Sequence, residues 1–219
     1  MTDIDSRAME WEKAFMSVSP TESAIAPGQA MRALRAALIT AITLYVMLAA
    51  WKALRTPLAL DDFPEELAIK VELLPLVFPL HMITGGLALL LLPLTYALRC
   101  HPRWHRLIGR ITAVDVLASG VTAFPVALVA PVTRVSALGF SAQAAVWLTL
   151  LAFGIANIRR GRIAAHRACM LLMVATTSGA LLFRMALASW AILGPVRHYE
   201  VFYAADAWFA WTLPLGLAA

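Results

Sequence analysis

Four residues in this chain are of types that do chemistry and are costly to keep among apolar neighbours: His81, His105, His166 and Arg184. His81 is followed by Gly85 and Gly86. Positions i and i+4 share a helix face, and glycine lets a backbone or a flat ligand come close. His81 therefore reads either as a haem ligand above a glycine notch or as a histidine bonded to a neighbouring helix. His105 and His166 each begin an apolar run, and each is followed by Arg. Such His-Arg pairs either snorkel to lipid phosphates and anchor helix ends, or present one imidazole each to a shared haem b. In the second reading His105 and His166 ligate the haem iron, and Arg106, Arg110 and Arg167 suit its propionates, because guanidinium pairs with carboxylate in a fork. Arg184 lies 18 residues after His166, five helical turns or about 27 Å along one stripe. That puts it near the depth of His81, where an arginine is a functional candidate by default. Its possible partners are a carbonyl, a cofactor carboxylate, a quinone oxygen or Asp206.

Other polar residues have blander readings beside the sharper ones. Asp115, nine residues after Arg106, is either a proton relay or a hydrogen-bonding group between helices. Cys169, three residues after His166, shares its face, so with His105 and Cys100 a soft-metal site for Zn or Cu(I) is conceivable, although the spacing matches no ligand motif. Tyr203, Trp208 and Trp211 read as an interfacial aromatic belt, with Pro214 bending or ending the segment.

These residues sit in a membrane protein. Hydrophobic residues make up 61% and charged residues 14% of the chain, against roughly 25% charged in soluble domains; mean hydropathy is +0.77. The net charge of +5 does not indicate nucleic acid, because the basic residues flank apolar runs and act as topology signals. A spanning helix needs about 20 apolar residues, and six candidates run roughly over 34–54, 73–98, 106–130, 136–157, 166–192 and 202–219. The expected fold is an all-α integral membrane bundle of about six transmembrane helices. Residues 1–33 are expected to form a flexible tail with no signal-peptide pattern, including a short amphipathic helix around Met9–Met16, and 34–219 the bundle.

Charge sets the expected orientation. Arg7, Lys13, Arg32 and Arg35, then Arg99, Arg103, Arg106 and Arg110, then Arg159, Arg160, Arg162 and Arg167 all fall on one side. Lys52, Arg55, Lys70, Arg134 and Arg197 fall on the other. By the positive-inside rule both termini are cytoplasmic, and the expected location is a bacterial inner membrane. Cys100 and Cys169 then lie at the reducing face, where a structural disulfide is not expected.

The pattern from His81-x-x-x-Gly85 through His101-Pro102-x-x-His105-Arg106-x-x-Gly109-Arg110, Ile158-Arg159-Arg160-Gly161-Arg162-Ile163-x-x-His166-Arg167-x-x-Met170, Arg184 and Ala207-Trp208-x-x-Trp211-x-x-Pro214 resembles the bacterial membrane family called domain of unknown function 2306. The resemblance runs from about residue 75 to the end. The chain departs from that pattern at Cys169, Leu172, Thr112 and Leu215, where Trp, Arg, an aromatic and Asn are expected. The family implies no established activity. The segment Trp104-His105-Arg106-x-x-Gly109-Arg110 is also similar to part of the ascorbate-reducible b-type cytochromes, and that likeness implies a six-helix haem b electron carrier.

Two functions are carried forward. One is haem b-dependent electron transfer, with quinone among the partners besides the bilayer. The other is a non-enzymatic membrane subunit or assembly factor of a larger membrane complex. A small transporter or sensor, with His81, Arg184 and Asp115 along a polar path, stands behind both. The sequence shows no glycine-rich nucleotide loop, serine elbow or paired carboxylates, and it leaves open whether the protein is an enzyme.

Overall fold

The computed structural model describes residues 27–58 and 65–219. The expected helix around Met9–Met16 lies outside the described residues. Seven α-helices follow in order: α1 (Pro27–Arg55), α2 (Glu65–Leu73), α3 (Val77–Ala97), α4 (Pro102–Leu128), α5 (Arg134–Arg159), α6 (Ile163–Leu193) and α7 (Tyr199–Ala218), with no strand among the described residues. The described residues fall into two units, one ending at Ile42 and the other running from Thr43 to Ala219. Of the first, the described part is the beginning of α1. The second is the helical bundle, and all that follows concerns it.

Among the described residues, five segments are long and apolar enough to cross a membrane: Met31–Arg55, Val77–Cys100, Pro102–Leu128, Arg134–Arg159 and Ile163–Leu193. The sixth expected span is a helix of 20 residues, α7, but it is not among those five; Glu200 and Asp206 lower its hydropathy. The helices also outrun the apolar stretches. α4 starts at Pro102, a residue suited to the first helical turn, and α6 starts one turn before His166. Helical hydrogen bonding goes on satisfying backbone groups past the end of the apolar run. α7 likewise runs through Pro214 to Ala218 instead of stopping there.

The packing is that of a helix set made for lipid. On α4 the exposed face is Leu107, Ile111, Val114, Leu117 and Val121, with Val114 69% exposed. The buried face is small or polar: Thr112, Asp115, Val116, Ser119 and Gly120. A soluble helix would reverse this distribution. Small residues let the helices approach closely. A methyl placed on Gly139 of α5 would fall 2.8 Å from the Ala207 carbonyl oxygen of α7, and one on Gly179 of α6 would fall 2.8 Å from Trp211 Cα. The apolar centre is Ala88 and Leu92 of α3, Val116 of α4, Leu151 of α5 and Met173 of α6. A second cluster joins Ala49 and Ala50 of α1 to Leu89.

The helices form hairpins. α3 packs on α4, α5 on α4 and α6, and α7 on α6 and α5. The α3–α4 and α5–α6 connections carry Arg99 and Arg103, and Arg159, Arg160 and Arg162. They lie at the same end of the bundle, here termed the basic end. Gly161, with φ of 72°, makes the second of these turns. At the opposite end Thr133 caps α5 in a reciprocal box with Ser136, and Lys70 of α2 donates to the carbonyls of Val126 (2.9 Å) and Val129 (2.6 Å). The latter pair satisfies carbonyls at the α4 C-terminus that have no helical donor.

Candidate functional site

The three intramembrane-type histidines make one bond in common. His81 Nδ1 lies 3.0 Å from the Ser119 carbonyl oxygen and 3.3 Å from Thr122 Oγ1. His105 Nδ1 lies 2.9 Å from the Thr95 carbonyl oxygen, and His166 Nδ1 lies 2.9 Å from that of Gly154. A carbonyl only accepts, so in each ring Nδ1 carries the proton. In the neutral ring Nε2 is then left with a lone pair, the form that ligates a metal or accepts a hydrogen bond. The histidines thus both tie helices together and keep one nitrogen for something else.

His81 opens onto a cavity. A space of about 520 Å³ lies between α3 and α7 and is lined by His81, Gly85, Gln143, Arg184, Tyr203 and Trp211, among others, with Lys70 of α2 also in its wall. Its size falls within the usual range for small-molecule sites, roughly 300–1,000 Å³. Much of the lining is apolar: Phe78, Met82, Leu89, Phe140 and Phe183. Phe140, Phe183 and Tyr203 pack edge to face, with ring centroids 5.1 to 6.0 Å apart, which makes one rigid aromatic wall. Gly85 belongs to this surface. A methyl there would sit 3.6 Å from Ser119 Oγ, an ordinary contact, whereas one on Gly86 would press on Ala53 Cβ at 3.0 Å. Gly86 is thus the packing glycine, and Gly85 leaves room at the cavity wall.

The charge in the cavity is of one sign. Lys70 and Arg184 line it, and no Asp or Glu is among its described lining residues. Arg184 Nη1 donates to the Ala180 carbonyl of its own helix at 2.8 Å and keeps accessible surface. The arginine is close enough for its charge to be felt at His81 and Tyr45; Tyr45 itself donates to the Leu181 carbonyl at 3.0 Å. Asp206, the carboxylate considered as a partner for Arg184, has an Oδ2 with no hydrogen-bond partner. Lys70 spends two of its three N–H donors on the α4 carbonyls, and burial pushes its pKa below the usual lysine value.

The structure therefore brings His81, Gly85 and Arg184 together, and it places the other candidates elsewhere. His105, His166 and Arg110 are not among the residues lining this cavity. His105 and His166 stand on α4 and α6, helices that pack on α5 far more than on one another. Arg110 is exposed. Cys100 and Cys169 are free thiols, with Asn157 Nδ2 4.0 Å from Cys169 Sγ. Among the described residues no three His, Cys, Asp or Glu side chains converge as a metal-binding group, so the soft-metal site is not formed.

Sequence reasoning missed Lys70, Gln143, Tyr203 and Trp211 as site residues. Trp211 is buried against its neighbouring helices, and its Nε1 donates to the Ala207 carbonyl at 3.0 Å. Gln143 Nε2 donates to the Thr176 carbonyl at 3.1 Å. An amide in the middle of an apolar helix was the available signal for Gln143, since intramembrane polar groups cost energy and face the bundle interior.

Comparison with known proteins gives a family and nothing finer. No curated protein and no solved structure matches the chain, so the local likeness to b-type cytochromes finds no support there. A family model does match, over residues 78–219, which takes in every helix that lines the cavity except α2. With its apolar helices and inside-out packing, the chain belongs to the predicted membrane proteins of the DUF2306 family.

Proposed function

We propose that this protein holds a small, largely apolar molecule with an anionic or electron-rich group, bound between α3 and α7 with His81 and Arg184 as its polar contacts. The observation that carries this reading is the convergence, on one mostly apolar cavity, of a histidine and an arginine that have, among the described residues, a free Nε2 and no carboxylate partner. Apolar walls would hold the body of the ligand, and the few polar groups would fix its orientation. Lys70 adds a second positive group in the wall. We place the basic end in the cytoplasm of a bacterial cell, following the arginine excess there, which puts the cavity in the outer half of the membrane.

A redox occupant is the narrower reading, and the histidine tautomers favour it. Haem b at this site would be held by His81 through Nε2, with Arg184 and Lys70 available to its propionates; when bound it would supply one-electron transfer. The chain's own residues would then exclude water, fix the ring through the Ser119 bond and neutralise negative charge. His105 and His166 present the same free Nε2, so a bis-His haem at the basic end is the competing placement. A quinone in the cavity would use the same polar contacts.

Visible spectra of the purified protein, oxidised and dithionite-reduced, together with mass spectrometry of what organic extraction releases, test the proposal. A Soret band abolished by His81→Ala supports haem in the cavity. Loss only in His105→Ala and His166→Ala moves the haem to the basic end and removes it from this cavity. A featureless spectrum with a stoichiometric amphipathic anion supports the broader reading. No co-purifying molecule, and no uptake of a fluorescent long-chain carboxylate, overturns it.

A further inference from the structure

Asp115 is not among the residues lining the cavity, yet it is a costly residue to keep inside the bundle. It lies inside α4, 8% exposed, and its Oδ2 has no hydrogen-bond partner among the described residues. A lone carboxylate in such surroundings pays a desolvation cost of several kcal/mol, which the acid form avoids. The neighbouring polar groups are arranged along one line. Thr112, Asp115 and Ser119 share the buried face of α4, with Thr112 3% and Ser119 1% exposed. Toward the basic end, Thr112 Oγ1 and Thr95 Oγ1 are 2.8 Å apart, and the Thr95 carbonyl accepts from His105. Toward the cavity, one turn from Asp115, Ser119 lines the wall and its carbonyl accepts from His81. From His105 to Thr122 the line rises about 26 Å, close to the thickness of a hydrocarbon core, about 30 Å.

We propose that Asp115 is an intramembrane proton-binding site, filled from water at the basic end along the α3–α4 seam and opening to the cavity floor at Ser119. The step moves a proton and no electrons: a hydronium ion at His105 gives up the proton and becomes water, an Asp115 carboxylate oxygen takes it, and the Asp115 O–H then releases it to water on the cavity side and returns to carboxylate. The threonine pair suits a relay. Each hydroxyl has one proton but two acceptors in reach, a backbone carbonyl of its own helix (Leu91 for Thr95, Ile108 for Thr112) and the other hydroxyl. The other titratable groups of the three helices packed here are His81 and Tyr96 on α3, Arg103, His105, Arg106 and Arg110 on α4, and Arg134 and Arg159 at the ends of α5. The proposal does not depend on what occupies the cavity.

Infrared spectroscopy of the full chain in lipid nanodiscs at neutral pH tests it. The expected result is a protonated-carboxyl stretch lost in Asp115→Asn and retained in Asp206→Asn. In heavy water that band should shift on deuteration, and Thr112→Val should slow the shift at least tenfold. Asp115→Asn replaces an acid by a neutral amide of the same shape; if it fails to fold, Asp115→Glu serves, since it should move the band without removing it. A spectrum unchanged by the Asp115 substitutions overturns the proton site. Deuteration at the wild-type rate in both Thr112→Val and His105→Phe overturns the route.

Discussion

His81, His105 and His166 each do a structural task with Nδ1 and make no hydrogen bond with Nε2 among the described residues. The contacts of His81, His105 and His166 explain why a histidine is kept in a helix that lipid would prefer to be apolar: Nδ1 satisfies a carbonyl on the adjacent helix. What separates them is the surroundings of Nε2, and only His81 faces the described cavity. Lys70 makes a prediction at this scale. Its pKa is lowered by burial, so between that lowered value and the unfolded value near 10.5 the unfolded chain binds more protons than the folded one. Stability then rises with pH through that window. Thermal unfolding from neutral to alkaline pH should show an increment in the wild type that Lys70→Gln lacks. At neutral pH the same substitution should cost about 1 kcal/mol from the weakened cap on α4. Parallel curves for the two proteins would contradict this assignment.

The helices were largely legible in the sequence because hydropathy alone marks them. Apolar runs place α3 to α6 to within a few residues, and the misses have physical causes. α4 and α6 continue into polar sequence, since a helix end is set by hydrogen bonding and not by hydropathy. The pairing of helices was not legible, because it depends on small residues whose partners are distant in sequence. Gly179 is the clearest case. A methyl there would lie 2.8 Å from Trp211 Cα and 3.1 Å from the Ala210 carbonyl oxygen, and neither backbone atom moves without shifting α7. Gly179→Val should therefore destabilise the bundle by about 1–3 kcal/mol, seen as a lower aggregation temperature in detergent. An unchanged transition would mean that α7 is not seated on α6 as described. Of the site, His81, Gly85 and Arg184 could be read from type and position. Lys70, Tyr203 and Trp211 could not, because they reach the cavity from segments that read as loop or interfacial belt.

Across the whole bundle, the distribution of polarity points inward and toward one end. Lipid-type side chains such as Val114 and Leu117 lie outside. The polar seam from His105 to His81 lies inside, and the cavity lies at the end away from the arginine-rich turns. This arrangement accounts for a small membrane protein without large loops: the bundle itself forms the binding surface, with α2 adding Lys70. A preference for an anionic group over a neutral, electron-rich one is the central claim, because two positive side chains and no acidic one stand among the described lining residues.

Binding of a fluorescent long-chain carboxylate to the purified protein tests that claim most directly, with wild type, Arg184→Gln and a neutral methyl ester of the same probe compared. Removing a charge-assisted hydrogen bond costs about 1.5–3 kcal/mol, so Arg184→Gln should weaken carboxylate binding about ten- to hundredfold while leaving the ester unaffected. Equal affinity for acid and ester in the wild type, or an Arg184→Gln protein that binds the acid as well as the wild type does, would contradict the account.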